Sequence, residues 1–228
     1  MLIPSIPRYG KLSFSSLGVN KASSSSGGGA TTYNITAVND DGHVTSSRTS
    51  STSVPQGSFS SLSKNSSTIN AGAQYDDEEI ELNYFVGYFR FDNIVADQGA
   101  TIQSATLKPI KKSSVIGSAA VDYEIAAIDK DDPSTPSSTL DLRLSDRTTA
   151  RVTLPKSTVT STTNGDRFDS PDIKTVIQEI VNRSGWSSGN AILLVLYTPT
   201  NVNGGSATFG RFGSKDGTDQ SAQLEITV

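Results

Sequence analysis

The chain has 228 residues, no cysteine and a formal net charge of -4, and 34% of its residues are hydrophobic. The absence of cysteine excludes disulfides, thiolate metal sites and a cysteine nucleophile. No apolar run approaches the ~18 residues of a membrane-spanning helix. The opening residues lack an apolar stretch of signal-peptide length, so we expect no secretion signal, and the absence of cysteine fits assembly in a reducing cytoplasm. The length suits one large all-β domain, or a domain that carries an arm.

Residues 1–66 are predicted to form an extended Ser/Gly-rich arm, because they contain too few large apolar groups to bury. Residues 1–70 hold five basic and two acidic side chains, a net +3, which leaves -7 for the remainder. We expect such a segment either to become ordered against a partner or to remain a disordered tail. Its predicted assembly anchors are Ile3, Ile6, Tyr9, Leu12, Phe14, Tyr33 and Ile35.

Residues 67–228 are predicted to form the folded body. The stretch NYFVGYFRFDNI places phenylalanines on alternate positions of a strand, and NAILLVLY is a continuous apolar run typical of a central strand covered on both faces. Seven or eight such strands separated by turn residues predict an antiparallel β-sandwich of jelly-roll type.

One helix interrupts this β pattern. Ser170 is suited to the N-cap and Pro171 to the first helical position, while Gly185 can end the helix. The apolar side chains share one stripe, which predicts a short helix that caps the sandwich: Ile173, Val176, Ile177, Ile180 and Val181.

Five segments in order carry a resemblance to a known module: VGYFRFDNI, GATIQSATLK, DRTTARVTLP, SPDIKTVIQEIVNRSGWSSGNAILLVL and GSKDGTDQSAQLEITV. Together they resemble the DNRLRE-type jelly roll, which is similar to carbohydrate-binding sandwiches and covers residues 67–228 here. The resemblance implies a non-catalytic fold for binding or structural support, as found in bacterial secreted proteins and phage virions. The short arm and the lack of large partner domains favour the virion class.

Carboxylates are the remaining candidates for chemistry, because the single histidine, His43, falls in the arm and has no histidine or cysteine partner for zinc. Asp129, Asp131 and Asp132 alternate in one loop and could hold a structural calcium. The acidic run before the first aromatic strand offers a second set, for a cation or a hydrolase pair, with a solvated loop as the alternative: Asp76, Asp77, Glu78, Glu79 and Glu81.

Three aromatic residues are candidates for recognition. Tyr84 and Tyr88 share one face of the aromatic strand and could form a sugar platform, inter-sheet packing or, as favoured here, a subunit interface. Trp186 could stack on a sugar, but its position after the helix favours packing of the helix onto the sandwich.

The sequence therefore predicts a non-enzymatic phage virion protein, either capsid decoration (cement) or a tail, baseplate or fibre component. Expected partners are other virion proteins and further copies of the chain, with a trimer favoured by analogy. The alternative is a module that binds host-surface glycans, and a carboxylate hydrolase is the third hypothesis. The acidic body argues against nucleic acid, and no cofactor beyond the calcium is expected.

Overall fold

The computed structural model describes residues 29–48, 58–76, 81–116, 121–199, 208–217 and 221–228. In these ranges the chain forms twelve β-strands and two α-helices, and the longest helix, at eight residues, is too short to cross a membrane. The strands are β1 (Thr31–Asn34), β2 (Asp41–Arg48), β3 (Ser61–Ser63), β4 (Thr68–Asp76), β5 (Glu81–Phe91), β6 (Ser104–Lys108), β7 (Lys111–Ile116), β8 (Tyr123–Ala127), β9 (Val152–Leu154), β10 (Ile192–Tyr197), β11 (Thr208–Gly213) and β12 (Gln223–Thr227). The helices are α1 (Lys156–Ser161) and α2 (Lys174–Val181), and two 3-10 turns cover Thr139–Leu142 and Leu144–Asp146.

The strands form two antiparallel sheets. The short sheet has the order β1-β12-β6. The long sheet has the order β7-β11-β4-β5-β10-β8-β9, and β2 also pairs with β5 and carries β3 on its other side. The predicted all-β antiparallel sandwich is therefore confirmed.

The predicted arm needs a correction. Thr31 pairs with Ile226 at one end of the β1–β12 ladder, and strand β2 pairs with β5 along its whole length, from Asp41 to Arg48. Tyr33 and Ile35, predicted as assembly anchors, are 8% and 1% exposed and belong to the core. Their period-2 alternation buries enough surface to fix a segment whose composition is otherwise polar. The other anchors, Ile3, Ile6, Tyr9, Leu12 and Phe14, lie outside the described residues.

The long sheet is buried on both faces. Its inner face and the short sheet enclose the main core, in which Phe89, Phe91 and Leu194 are fully buried. Its outer face carries a second cluster, which includes Val44 of β2 together with Leu142 and Leu144 of the two 3-10 turns. Strand β10 is accordingly buried at all six positions, as its apolar sequence predicts.

Glycines let strand β4 change partners where the long sheet curls. Strand β4 pairs with β5 from Gly72 onwards and with β11 from Thr68 to Ala73. Gly72 has a φ of 104°, and a Cβ there would lie 1.9 Å from the backbone oxygen of Thr208. At Gly87 a Cβ would lie 2.9 Å from Cγ2 of Ile69, so β4 can cross close over β5 only because that position lacks a side chain.

Helix α2 caps the main core, as predicted, and contacts β6 and β8. It buries Val176, Ile177, Ile180 and Val181, a gross gain of roughly 6–12 kcal/mol before ordering costs. The helix begins at Lys174 rather than at Pro171, which corrects the predicted N-cap at Ser170.

Strand β6 explains this late start. The Ser170 hydroxyl accepts the amide of Leu107 at 3.0 Å, and the Asp172 carboxylate accepts the amide of Ala105 at 3.0 Å. The amides of Ser170 and Ile173 donate to the carbonyls of the same two β6 residues. Residues 170–173 therefore cover the outer edge of β6 and cannot join the helix.

Candidate functional site

The three aromatic candidates are all buried. Tyr84 is 1% exposed and its hydroxyl donates to the carbonyl of Thr198, while the Tyr88 hydroxyl donates to the carbonyl of Asn39 at 3.2 Å. The indole nitrogen of Trp186 donates to the carbonyl of Ala96 at 2.9 Å. The predicted sugar platform and subunit interface at these tyrosines are wrong, because the second hydrophobic cluster covers that sheet face. The packing role of Trp186 is confirmed.

The predicted calcium loop is an ion-pair cluster. The guanidinium of Arg183 donates to Asp131 at 2.6 Å and also to Asp129. Asp132 accepts the amide of Ala191 at 2.9 Å. Asp129 and Asp131 therefore share Arg183 as their cation, while Asp132 binds a backbone amide instead. This arrangement corrects the predicted calcium site and ties the loop after β8 to the residues that follow α2.

The second acidic set lies at the connection between β4 and β5. Asp76 and Glu81 form the last pair of these two strands, and Asp77, Glu78 and Glu79 lie outside the described residues. In the part of the chain that the structure covers, no three His, Asp or Glu side chains group as metal ligands.

A buried polar cluster at the start of β2 was not predicted. The Asp41 side chain is fully buried, and its carboxylate accepts the hydroxyl of Ser214 at 2.9 Å and the amide of Lys215 at 2.8 Å. Burial is the main cause that raises the pKa of Asp41 to about 6, and the nearby charges of Asp216 and Asp40 raise it further. This carboxylate thus fastens β2 to the turn that follows β11.

Asp40, the residue before Asp41, binds a different set of partners. Its carboxylate pairs with Arg90 at 3.1 Å and accepts the hydroxyl of Thr135 at 2.5 Å. Arg90 also donates from Nε to the carbonyl of Pro133 at 2.8 Å. Asp40 is 2% exposed, so this charge is held inside the protein by complementary partners. These contacts tie the segment that contains Pro133 and Thr135 to strand β5 of the long sheet.

His43 lies beside these carboxylates but is not arranged as a catalytic base. Its Nε2 is 3.4 Å from the side-chain nitrogen Nδ2 of Asn70, and its ring makes an edge-type contact with the Phe85 ring at 5.9 Å between centroids. Burial lowers the pKa of His43 to about 4, so the imidazole is neutral at pH 7. The hydroxyl of Ser214 donates to Asp41 and not to His43, so these groups do not form a serine–histidine–aspartate relay.

The outer edge of β1 is the most open strand edge of the short sheet. Strand β1 pairs with β12 on one side, and no backbone hydrogen bond joins its other side to the described residues. Thr31, Thr32 and Asn34 are exposed, and only Tyr33 points into the core. We call this feature the β1 edge, and it consists of residues 31–34.

A comparison with protein-family models finds no family that matches the chain, and a search of curated proteins finds no match. The resemblance to the DNRLRE-type module therefore stays a prediction. The geometry offers two features with functional meaning. One is a body whose charged side chains brace its loops, and the other is the open β1 edge.

Proposed function

We propose that the protein is a non-enzymatic structural subunit of a phage virion, either a capsid decoration protein or a tail, baseplate or fibre component. In this role the sandwich is a rigid body, and the residues before Gly29 attach it to its neighbours. The resemblance stated above supplies the virion class, and the structure supports the mechanical part of the role.

The observation that carries the proposal is the use of charged side chains as internal braces. Asp40, Asp41 and Arg183 each connect segments far apart in sequence, through contacts that span between 50 and 174 positions. The charge-assisted hydrogen bonds of Asp40 and Arg183 are stronger than neutral ones, and the contacts of all three residues hold their loops in one geometry. A body braced in this way suits a load-bearing component.

The composition of the first 28 residues supports their assignment to assembly. They contain three basic side chains, Arg8, Lys11 and Lys21, and no acidic one, so the remaining 200 residues carry -7. They also contain apolar residues such as Leu12 and Phe14 in a Ser/Gly-rich context. A basic segment with apolar anchors is suited to an acidic partner surface.

The glycan-binding alternative loses its predicted contact residues, since Tyr84, Tyr88 and Trp186 are at most 3% exposed.

A truncation tests the assembly role, and its boundary follows from the fold. Deletion of residues 2–28 stops before β1 and should leave a folded body, whereas deletion of residues 1–60 would remove β1 and β2 from the sheets. We expect the shorter truncation to keep the circular dichroism spectrum and cooperative thermal unfolding of the full chain. We also expect the truncated protein not to be incorporated into particles that lack the full-length protein.

The matched control replaces residues 2–28 with a Gly/Ser sequence of equal length. This control separates loss of the segment's side chains from loss of its length. Incorporation of the truncated or the replaced protein at the level of the full chain would refute the proposal.

A further inference from the structure

We propose that the N-terminal segment of a second copy of this chain adds as a β-strand to the β1 edge. This inference rests on the proposed function and names the partner surface for the segment. The stretch concerned is residues 11–16, KLSFSS, in which Leu12 and Phe14 alternate with polar residues. Pro4 and Pro7 disfavour a strand earlier in the segment.

The β1 edge differs from the edges at β6 and at the start of β7. The outer edge of β6 is covered by backbone hydrogen bonds from residues 170–173, as described above. At β7 the amide of Lys111 donates to the carbonyl of Asp166, and its carbonyl accepts the amide of Gly165. Proteins usually protect an exposed edge with a charge, a proline or a covering segment. Strand β1, Thr-Thr-Tyr-Asn, has neither charge nor proline, and its free side is available for a partner strand.

Exposed apolar side chains lie beyond both ends of β1 and beside the hydroxyl of Tyr33. Four large apolar side chains are exposed in the described residues, and three of them adjoin β1 or its neighbours. Val95 is 67% exposed, and its amide donates to the hydroxyl of Tyr33 at 3.0 Å. Val38, 50% exposed, follows β1 in the chain, and Val228, 41% exposed, follows its partner strand β12. Because Thr31 pairs with Ile226 and Asn34 with Gln223, Val228 lies beyond the Thr31 end of β1 and Val38 beyond the Asn34 end, so these side chains flank the edge without forming one patch.

Charge and reach favour the N-terminal segment as the occupant. The segment carries +3 and the rest of the chain carries -7, so the two attract between copies. Residues 17–30 link the proposed strand to β1, and their fourteen residues can extend about 45 Å. That reach exceeds the diameter of a small domain, about 30 Å, so a neighbouring copy is accessible. Pairing between copies would also bury Leu12 and Phe14 in an assembly.

Disulfide cross-linking in the full chain tests the pairing, since the protein has no cysteine of its own. An isotope-labelled Ser13→Cys variant is mixed with an unlabelled Thr32→Cys variant, oxidised, and analysed by mass spectrometry. The matched control replaces Thr32→Cys with Thr153→Cys, which introduces an exposed cysteine on strand β9. We expect at least ~10-fold more labelled–unlabelled cross-link with Thr32→Cys than with Thr153→Cys, because pairing raises the effective concentration.

Equal or absent cross-linking in both mixtures would overturn the inference. A Ser13→Cys/Thr32→Cys double variant that closes only within one chain would also overturn it, because the occupant would then be the chain's own segment. The pair Ser15→Cys with Thr31→Cys repeats the test should a first variant fold poorly. If truncation of residues 2–28 abolishes incorporation while no cross-link to β1 forms, the proposed function stands and this inference fails.

Discussion

Replacement of Asp41 by asparagine is expected to stabilise the protein at neutral pH. The amide of asparagine can keep both contacts of the carboxylate, since its oxygen can accept the amide of Lys215 and its nitrogen can donate to the hydroxyl of Ser214. What the variant removes is the cost of holding a charge in a fully buried position. The substitution therefore changes the pH dependence of stability more than the packing.

The magnitude follows from the pKa. Burial raises the pKa of Asp41 from 3.8 in the unfolded chain to about 6. A raised carboxyl pKa means that the folded state binds the proton more tightly than the unfolded state does. The contribution of Asp41 to the free energy of unfolding is therefore full below pH 3.8 and is lost as the pH rises through 6. The difference of about 2 pH units corresponds to roughly 3 kcal/mol, at about 1.4 kcal/mol per unit.

His43 changes the free energy of unfolding in the opposite direction over an overlapping pH range. Its pKa falls from 6.5 to about 4 on folding, so its contribution is present above pH 6.5 and is lost as the pH decreases through 4. Between pH 4 and 6 the two residues therefore offset each other in the wild-type protein. In Asp41→Asn only the His43 effect remains, and the unfolding free energy should rise with pH.

Urea unfolding at pH 4, 5, 6, 7 and 8 measures this difference. We expect the free energy of unfolding of Asp41→Asn, minus that of the wild type, to increase by ~3 kcal/mol from pH 4 to pH 7. His43→Gln is the matched control and should show a change of opposite sign. A difference between Asp41→Asn and the wild type that does not vary with pH would refute the assignment of a buried, costly charge to Asp41.

Three further substitutions test the braces and the packing. Arg183→Leu leaves two carboxylates without their cation and should lower the unfolding free energy by ~1–3 kcal/mol in urea titrations. As the control, Lys174→Ala removes the exposed Lys174–Asp172 ion pair and should cost less than ~1 kcal/mol. Equal effects of the two substitutions would contradict the bracing role of Arg183. Gly87→Ala forces β4 away from β5 and should cost ~1–3 kcal/mol by thermal unfolding, whereas Gly29→Ala, which meets open space, should be neutral. Trp186→Phe loses a buried N–H bond and ring volume, so its melting temperature should fall; an unchanged value would remove the packing role.

Much of the fold follows from side-chain periodicity. The apolar run of β10 and the stripe of α2 predict a buried central strand and a capping helix, because burial of such runs dominates the local energetics. The helix start was misplaced, since Ser170 and Asp172 are good capping residues that bind the edge of β6 instead. The local sequence around Ser170 does not show that the backbone amides at the outer edge of β6 need hydrogen-bond acceptors.

The misassigned residues share a cause. Strand β2 is polar apart from Val44, so composition alone places it in a flexible arm. The Arg183 brace was missed for a related reason: a loop of alternating aspartates has the same local pattern whether it binds calcium or a distant arginine. Contacts between residues more than thirty positions apart decide both cases, and they depend on the whole topology.

The pairing of β1 with β12 has a consequence for synthesis in the cell. The side chains of Asn34 and Gln223, which bond across this ladder, are 189 positions apart. At translation rates of roughly 5–20 residues per second, β1 waits for about 10–40 seconds before its ladder partner leaves the ribosome. During that interval the nascent chain presents an unpaired strand, and chaperone binding at this stage would protect newly made chains from premature association.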